Sequence, residues 1–228
     1  MDINKLLEGC DCSCNKHHSC EIKHVYIEKD AILHLSQLCT DYEHILIVAD
    51  ENTFATCGSK VKSALSDKDV NEIIFSGAKV LVPDEAAVEA VNAQLCGIDL
   101  IIGIGSGVIQ DLCKYTAFEN KLPYFVVATA PSMDGYASTG AAMIMGGMKV
   151  TYSAKIPEAI LAEPEVLANA PMEMIKAGYG DIIGKYSCLN DWKLSHCIND
   201  EYFCQYIYDV IAEIVEKSLE AGLSNGLL

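Results

Sequence analysis

The sequence is poor in basic residues and contains no long apolar run. Lysine and arginine together number 16 against 32 aspartate and glutamate residues, which gives a formal net charge of −16. Nucleic-acid backbones and anionic membrane surfaces need clustered cationic side chains, so neither is expected as a partner. No apolar stretch reaches the about 18 residues of a membrane span, and the polar start Met1–Lys5 does not resemble a signal peptide. We therefore expect a cytoplasmic protein whose ligands are small molecules.

The sequence also has no evenly paired set of cysteines. An odd number of them, 11, without an export signal predicts reduced thiols and not a disulfide framework. Four of these cysteines, with His17 and His18, fall within residues 10–20. Thiolate and imidazole groups at this density could close a tetrahedral zinc site. The spacing is not a standard zinc-finger pattern and no second ligand pair follows downstream, so a solvent-exposed arm with free thiols is favoured over a structural metal.

Apolar segments alternate with amphipathic ones along the first 170 residues. Such alternation predicts a parallel sheet covered by helices on both faces. The predicted strands are 24–27, 44–49, 79–82, 99–104 and 124–128, and the predicted helices lie near 32–39, 52–65, 84–95 and 108–118. A short hairpin is predicted from 142–145 and 149–153, around Gly146-Gly147.

After Pro171 the pattern becomes helical. Apolar residues recur at three-to-four spacing from Met172 to Leu189, and a second helix is predicted over 201–222. Two helices alone make a poor domain. We therefore predict an α/β protein, with a dinucleotide-binding parallel-sheet domain over 1–170 (1–22 being a Cys/His-rich arm) and the start of an incomplete all-helical domain for metal and substrate over 171–228.

A glycine-rich turn follows the predicted strand 99–104. The run Gly103-Ile104-Gly105-Ser106-Gly107 leads directly into a helix, so its backbone could approach an anion held by the first helical N–H groups. Alone, this pattern fits a plain strand-to-helix turn about as well as nucleotide binding. A second polar loop, Thr129–Ser138, follows the next strand, and parallel strands place both loops at one ligand crevice. The alternative for that loop is an ordinary turn with a helix cap at Ser132.

Several segments together resemble one family, the sn-glycerol-1-phosphate dehydrogenases, within the iron-containing alcohol dehydrogenase and dehydroquinate synthase-like superfamily. The segments that carry the resemblance are Ala49–Thr53, Gly103–Gly107 with Asp111 and Lys114, Ala130–Ser138, and Gly180-Asp181 with Gly184–Ser187 and Asp191-Trp192. The resemblance implies an oxidoreductase that uses NAD or NADP. Its implied reaction interconverts dihydroxyacetone phosphate and sn-glycerol-1-phosphate, with a divalent metal, zinc or nickel, as Lewis acid.

The resemblance also implies roles for particular residues. Gly105, Ser106 and Gly107 would hold the pyrophosphate. Asp50 would accept hydrogen bonds from the adenosine ribose, which favours NAD, although this acid precedes the glycine loop instead of following it as in a Rossmann fingerprint. The other implied cofactor-binding residues are Asp111, Thr129, Ser132, Asp134 and Ser138. The implied catalytic residues are Asp134, which would contact substrate near the nicotinamide, and Asp181, which would be a metal ligand; without the resemblance, Asp181 would be taken as a helix-surface carboxylate.

The sequence departs from the family pattern at the metal ligands. The family's metal is held by this aspartate and two later histidines, whereas only His196 follows Asp181 here. Fifteen helical residues separate these two by about 22 Å, too far to share one ion. We therefore expect an incomplete enzyme, homo-oligomeric when whole, whose 228 residues alone do not catalyse the reaction. The alternatives are a glycerol dehydrogenase-like polyol oxidoreductase and a non-catalytic NAD-binding module.

Overall fold

The computed structural model describes residues 3–224, which form two compact units. The larger unit comprises Glu21–Pro131 and Gly135–Ala170. The smaller unit comprises the other described residues: the N-terminal arm up to Cys20, the short segment Ser132–Asp134 and the chain after Pro171. No helix among the described residues combines the length and the apolar character that crossing a bilayer requires.

The elements are numbered in chain order. The strands are β1 Cys10–Asp11, β2 His17–His18, β3 His24–Ile27, β4 His44–Asp50, β5 Asp69–Phe75, β6 Leu100–Gly105, β7 Tyr124–Ala128, β8 Gly140–Met145, β9 Met148–Ser153 and β10 Ala159–Ala162. The α-helices are α1 Ile3–Leu7, α2 Leu35–Leu38, α3 Glu51–Ala64, α4 Glu85–Asn92, α5 Gly107–Asn120, α6 Pro164–Ala168, α7 Met172–Asn199 and α8 Gln205–Ser224. Short 3-10 turns cover Ala31–His34 and Gly135–Ala137.

The larger unit is built on a six-stranded sheet in the order β3-β10-β7-β6-β4-β5, with every neighbouring pair parallel. The central strands β6 and β7 are buried along their whole length, as expected where helices cover both faces of a parallel sheet. Each fully buried leucine or isoleucine of this core stabilises the fold by about 1.5–3 kcal/mol. The predicted α/β class is confirmed.

The predicted strand 79–82 is wrong. Val80 is 86% exposed, and the strand at this edge of the sheet is β5. β5 pairs with β4 at the edge of the sheet and has exposed residues at Asp69, Asn71 and Glu72, so it lacks the continuous apolar run on which the prediction relied. The prediction also missed β10, which is only four residues long but lies between β3 and β7.

The hairpin that follows the sheet is confirmed. β8 and β9 pair antiparallel, and Gly146 and Gly147 connect them with φ angles of 59° and 75°. A tight two-residue turn of this kind needs positive φ at both positions, which glycine adopts without strain.

In the smaller unit, two long helices follow Pro171. α7 spans 28 residues and α8 spans 20. The helices approach closely where Gly222 faces Tyr179, because a Cβ atom at Gly222 would overlap the tyrosine ring. The predicted helical region after Pro171 is therefore confirmed, with α8 beginning at Gln205 instead of residue 201.

Candidate functional site

The order of the strands defines a crevice in the larger unit. From β4 the chain passes through α3 to β5 on one side, then returns through α4 to β6 on the other side of β4. Ligands of open α/β sheets bind at such a switch point, outside the carboxyl ends of the strands. Asp50 is the last residue of β4 and Gly105 the last of β6, and the preceding residues Ala49 and Ile104 are paired in the sheet. Two predicted cofactor residues thus lie at the switch point.

The N-terminus of α5 offers an anion site at this edge. Ser106 is the N-cap residue, yet its hydroxyl makes no capping hydrogen bond to the helix. The first helical N–H groups lack intrahelical acceptors and carry partial positive charge. Residues 106–108 are only partly buried, so these groups are accessible to a ligand. A phosphate could be bound by the backbone here without a cationic side chain.

Gly103 and Gly105 allow α5 to pack closely against β6. A Cβ atom at Gly105 would lie 2.6 Å from the Cβ of Ile109, and one at Gly103 would lie 2.9 Å from the Sγ of Cys113. The Gln110 side chain fixes this junction, since its Nε2 donates to the carbonyl oxygens of Gly103 at 2.9 Å and Gly105 at 3.2 Å. Gly105 therefore has a packing role in addition to any contact with a ligand.

Asp50 has a structural role as well. Its Oδ1 accepts a hydrogen bond from the backbone N–H of Thr53 at 2.8 Å, and its own N–H donates to the Thr53 hydroxyl at 3.1 Å. This reciprocal cap begins α3. Because a carboxylate has two oxygens, Oδ2 is a further acceptor beside the crevice.

The loop after β7 is anchored to the end of β6. The N–H of Thr129 donates to the carbonyl oxygen of Gly105 at 3.3 Å. The hydroxyl of Tyr136 donates to the carbonyl oxygen of Ala130 at 2.6 Å, and burial raises the pKa of Tyr136. Thr129 is thus placed with Gly105, whereas Tyr136 supports the loop from within, a role that sequence reasoning missed.

Asp111 and Ser138 gather around a fully buried ammonium, that of Lys114. Its Nζ donates to the Ser138 hydroxyl at 3.0 Å and to the carbonyl oxygens of Gly135 at 3.1 Å and Gly140 at 2.9 Å. Asp111 Oδ1 lies 3.7 Å from this Nζ. Burial lowers the pKa of Lys114 and raises that of Asp111, and each opposes the shift of the other. Lys114 was noted in the sequence only as part of a motif; the structure makes it the centre of the loop's support.

Asp134 and Asp181 come together in the smaller unit, with Lys185 between their side chains. The N–H of Asp134 donates to Asp181 Oδ2 at 2.8 Å. Lys185 Nζ lies 2.7 Å from Asp134 Oδ2 and 3.7 Å from Asp181 Oδ1. The backbone hydrogen bond from Asp134 lowers the pKa of Asp181, and the ion pair with Asp134 raises the pKa of Lys185. Ser132, also in this unit, is half-buried.

The described residues around Asp181 do not fit a catalytic metal ion. Such an ion needs about three protein ligands and an open position. Within residues 3–224, the structure brings together a group of side chains that could ligate a metal ion. Asp181 is not among them. The neighbour of Asp181 is instead the ammonium of Lys185, and the ring Nδ1 of His196 donates a hydrogen bond to the carbonyl oxygen of Glu201 at 2.6 Å. These side chains alone therefore support no reaction step through a metal.

The parallel sheet and the helix N-terminus at its switch point define an open α/β protein with a crevice of the kind that binds dinucleotides. Comparison with known proteins gives the family. Residues 26–171 match the iron-containing alcohol dehydrogenases, and the chain belongs to this family of NAD(P)-dependent, metal-binding dehydrogenases. The family predicted from the motifs is therefore confirmed.

Curated relatives match nearly the whole chain. The glycerol-1-phosphate dehydrogenase [NAD(P)+] of Geobacillus stearothermophilus is 31% identical over 230 residues, covering 96% of this chain and 55% of the relative. The enzyme of the same name from Halalkalibacterium halodurans is 33% identical over 223 residues, covering 95% of this chain and 56% of the relative. The chain thus spans about half the length of these relatives.

Solved structures agree on the fold. A glycerol dehydrogenase from Schizosaccharomyces pombe superposes with a TM-score of 0.62 at 20% identity, covering 73% of this chain and 43% of that one. An iron-containing alcohol dehydrogenase from Thermococcus thioreducens gives a TM-score of 0.63 at 16% identity, covering 71% and 51%. At these identities the likeness concerns the fold alone.

Proposed function

We propose that this chain forms the cofactor-binding part of an NAD(P)-dependent sn-glycerol-1-phosphate dehydrogenase. The observation that carries the proposal is the placement of Asp50 beside the open N-terminus of α5 at the switch point between β4 and β6. Relatives named glycerol-1-phosphate dehydrogenase, about 30% identical, support the choice of substrate over an unphosphorylated polyol.

In this proposal the cofactor pyrophosphate is bound by backbone N–H groups of the first turn of α5. Gly105 and the N-cap residue Ser106 lead into that turn and Gly107 is its first residue, and a helix of 14 residues supplies the positive end of its dipole. Asp50 Oδ2 accepts hydrogen bonds from the adenosine ribose, and its negative charge favours NAD over NADP. Thr129 and Ser132 contribute to the cofactor loop, and Asp111 and Ser138 hold its shape through Lys114.

The substrate side of the proposal rests on Asp134 and Asp181. Asp134 would contact the substrate, and Lys185 acts as a positioning residue, because its ammonium holds the Asp134 carboxylate at 2.7 Å. All 16 basic residues of the chain are lysines, so any cationic contact that this chain makes to the substrate phosphate would come from lysine or a protonated histidine. The bound nicotinamide cofactor would exchange a hydride with the secondary carbon of the substrate.

The proposed activity needs more polypeptide than these residues provide. Asp181 would be one ligand of a zinc or nickel ion whose other ligands belong to another part of the enzyme. Two apolar side chains on α7, Leu194 and Ile198, are 56% and 71% exposed. Their exposure supports association of α7 with further helices, from the rest of the helical domain or from a second copy in a cytoplasmic homo-oligomer.

A chimera tests this proposal. The chain is fused at its C-terminus to the part of the Geobacillus stearothermophilus relative that it does not match, and reduction of dihydroxyacetone phosphate is measured with NADH and added zinc or nickel. We expect metal-dependent turnover. We also expect a preference of at least tenfold in kcat/KM over dihydroxyacetone, since a site built for a dianion leaves charged groups unpaired without it.

Control variants of the chimera separate the alternatives. Asp181→Asn should abolish turnover while NADH binding is retained, and Asp209→Asn, on the neighbouring helix α8, should change neither. Equal use of the two ketones would favour the glycerol dehydrogenase alternative. A chimera that folds and binds NADH but shows no turnover would favour a non-catalytic NAD-binding module.

A further inference from the structure

The N-terminal arm folds as a small knuckle. β1 and β2 pair antiparallel, Cys10 with His18 and Asp11 with His17. Between them the N–H of Asn15 donates to the carbonyl oxygen of Cys12 at 3.0 Å, and Asn15 has a positive φ of 63°. This tight turn directs the thiols of Cys12 and Cys14 towards the ring of His18.

A fourth potential ligand comes from a residue that is far from the arm in sequence. Cys204 lies immediately before α8 and is 1% exposed. Its Sγ lies 3.5 Å from Cys12 Sγ and 3.4 Å from His18 Nε2, while Cys14 Sγ lies 3.4 Å from the same nitrogen. All four potential ligand atoms lie within 4.8 Å of one another. The sequence has no second ligand pair downstream of the arm, but the structure brings one distant thiol, that of Cys204, to it.

These distances match the edges of a zinc tetrahedron. With Zn–S bonds of about 2.3 Å and Zn–N bonds of about 2.0–2.1 Å, tetrahedral geometry places two sulfurs about 3.8 Å apart and a sulfur and a nitrogen about 3.6 Å apart. The three close pairs in the structure, at 3.4–3.5 Å, are slightly shorter than these edges. A small outward shift of the side chains would accommodate the ion.

We propose that Cys12, Cys14, His18 and Cys204 bind one structural zinc ion. Three thiolates and an imidazole form a closed donor set that suits zinc and leaves no position open for a substrate. The site is separate from Asp181, which is not among these ligands. It does not depend on the proposed dehydrogenase activity.

The ion would hold the arm where it has little else to stabilise it. The arm has a five-residue helix and two strands of two residues each, too small to bury a core of its own. A structural metal commonly replaces a core in segments of this size.

Contacts of Tyr202 connect the arm with the segment between α7 and α8. Lys16 Nζ lies 3.4 Å from the centre of the Tyr202 ring, and Trp192 Nε1 donates to the carbonyl oxygen of Tyr202 at 2.7 Å. These contacts hold the connection between α7 and α8, which carries Cys204, against the arm.

Metal analysis of the purified 228-residue chain tests the site. After expression in zinc-supplemented medium and gel filtration, we expect about one zinc ion per chain. The single variants Cys12→Ser, His18→Ala and Cys204→Ser should each reduce bound zinc several-fold. The matched control Cys20→Ser, which removes an exposed thiol of the same arm, should retain the zinc, and so should Asp181→Ala.

Cobalt binding is measured on the wild-type chain, so this measurement tests the site even if a ligand variant misfolds. Wild-type chain refolded with Co²⁺ should show sulfur-to-cobalt charge transfer in the near ultraviolet and the intense visible bands of tetrahedral cobalt, and one equivalent of zinc should remove both. Three outcomes would overturn the proposal: wild-type protein without zinc or a cobalt spectrum, zinc retained in all three ligand variants, or a Cys12–Cys204 disulfide in the native protein.

Discussion

Asp50 and Thr53 cap helix α3 reciprocally, each accepting a hydrogen bond from the backbone of the other, at 2.8 Å to Asp50 Oδ1 and 3.1 Å to Thr53 Oγ1. The carboxylate that the proposal assigns to the ribose is therefore also a helix cap. A variant that tests the ligand role must preserve the cap, and asparagine does so because it is as good an N-cap as aspartate.

Asp50→Asn should shift cofactor preference towards NADPH. Removing the negative charge relieves repulsion of a ribose phosphate, worth about 1 kcal/mol at a partly exposed position, so the NADH-to-NADPH affinity ratio should fall about fivefold. Titration calorimetry with both cofactors measures it. Asp84→Asn, which alters the equivalent cap of α4, is the matched control and should leave the ratio unchanged. An unchanged ratio in Asp50→Asn itself would remove Asp50 from the ribose site.

Ser106→Asp should weaken NADH binding without destabilising the fold. The serine hydroxyl makes no capping bond, and aspartate is a favourable N-cap, so the thermal midpoint should stay the same or rise. Its charge would repel the pyrophosphate, and we expect the Kd for NADH to increase at least tenfold. Ser106→Asn adds a side chain of nearly the same size without charge and should bind NADH more tightly than the aspartate variant. Equal affinities in these two variants would place the pyrophosphate elsewhere.

Alanine substitutions at Gly105 and Gly184 should have opposite effects on stability. At Gly105 a Cβ atom would lie 2.6 Å from that of Ile109, so we expect a loss of about 1–3 kcal/mol. At Gly184, on α7, a Cβ atom would meet nothing within 4 Å, and alanine should raise helix stability by about 1 kcal/mol. Urea unfolding followed by circular dichroism measures both. A destabilised Gly184→Ala would mean that another segment or a second chain packs against this face of α7.

The central fold could be predicted because its strands are nearly continuous apolar runs that end in turns. β4, β6 and β7 were predicted within one residue of their bounds for this reason. β5 was missed because an edge strand with two consecutive exposed polar residues, Asn71 and Glu72, carries no such run. β10, with four residues, is too short to give a periodic signal.

The candidate site was predicted less completely than the fold. The Gly105 loop and Asp50 have local motifs, and their neighbouring strands bring them together at one edge of the sheet. No individual role was predicted for Lys185 or Cys204, because each acquires its partners through contacts across the smaller unit. Motif spacing identifies residues close in sequence, whereas these contacts join distant segments.

Removing the Lys185 charge should lower the stability of the chain near neutral pH and flatten the alkaline side of its pH profile. The lowered pKa of Asp181 adds stability above its unfolded value of about 3.9, which is lost as pH falls through the folded pKa. The raised pKa of Lys185 adds stability below its unfolded value of about 10.4, which is lost as pH rises through the folded pKa. These partly exposed groups contribute less than about 1 kcal/mol together.

Lys185→Met should therefore lower the thermal midpoint by a few degrees near neutral pH and remove the alkaline loss. Thermal unfolding from acid to alkaline pH measures the profile. Lys176→Met, earlier on the same helix, is the control and should keep the wild-type profile. Coincident profiles for wild type and Lys185→Met would show that the ion pair does not contribute to folding.

The 228-residue chain should bind NADH yet show no reduction of dihydroxyacetone phosphate with added zinc or nickel. NADH binding requires only the residues at the carboxyl ends of the strands. Catalysis also requires a metal ion as Lewis acid, and the described residues do not supply enough ligands around Asp181 to hold one. Loss of NADH fluorescence over time measures turnover, with enzyme-free solution as the baseline. Turnover that disappears on chelation would contradict this expectation and point to ligands other than those considered for the family.

The contact between Cys12 and Cys204 joins residues 192 positions apart. During synthesis on a ribosome, the arm emerges before Cys204, and its other ligands must wait for the intervening residues before this partner appears. At about 5–20 residues per second, this interval lasts about 10–40 seconds, long enough for the sheet unit to fold while the arm thiols stay accessible. The proposed site is thus completed well after the arm is made, and a metal carrier or oxidant present in that interval would act on the arm thiols before Cys204 closes the site.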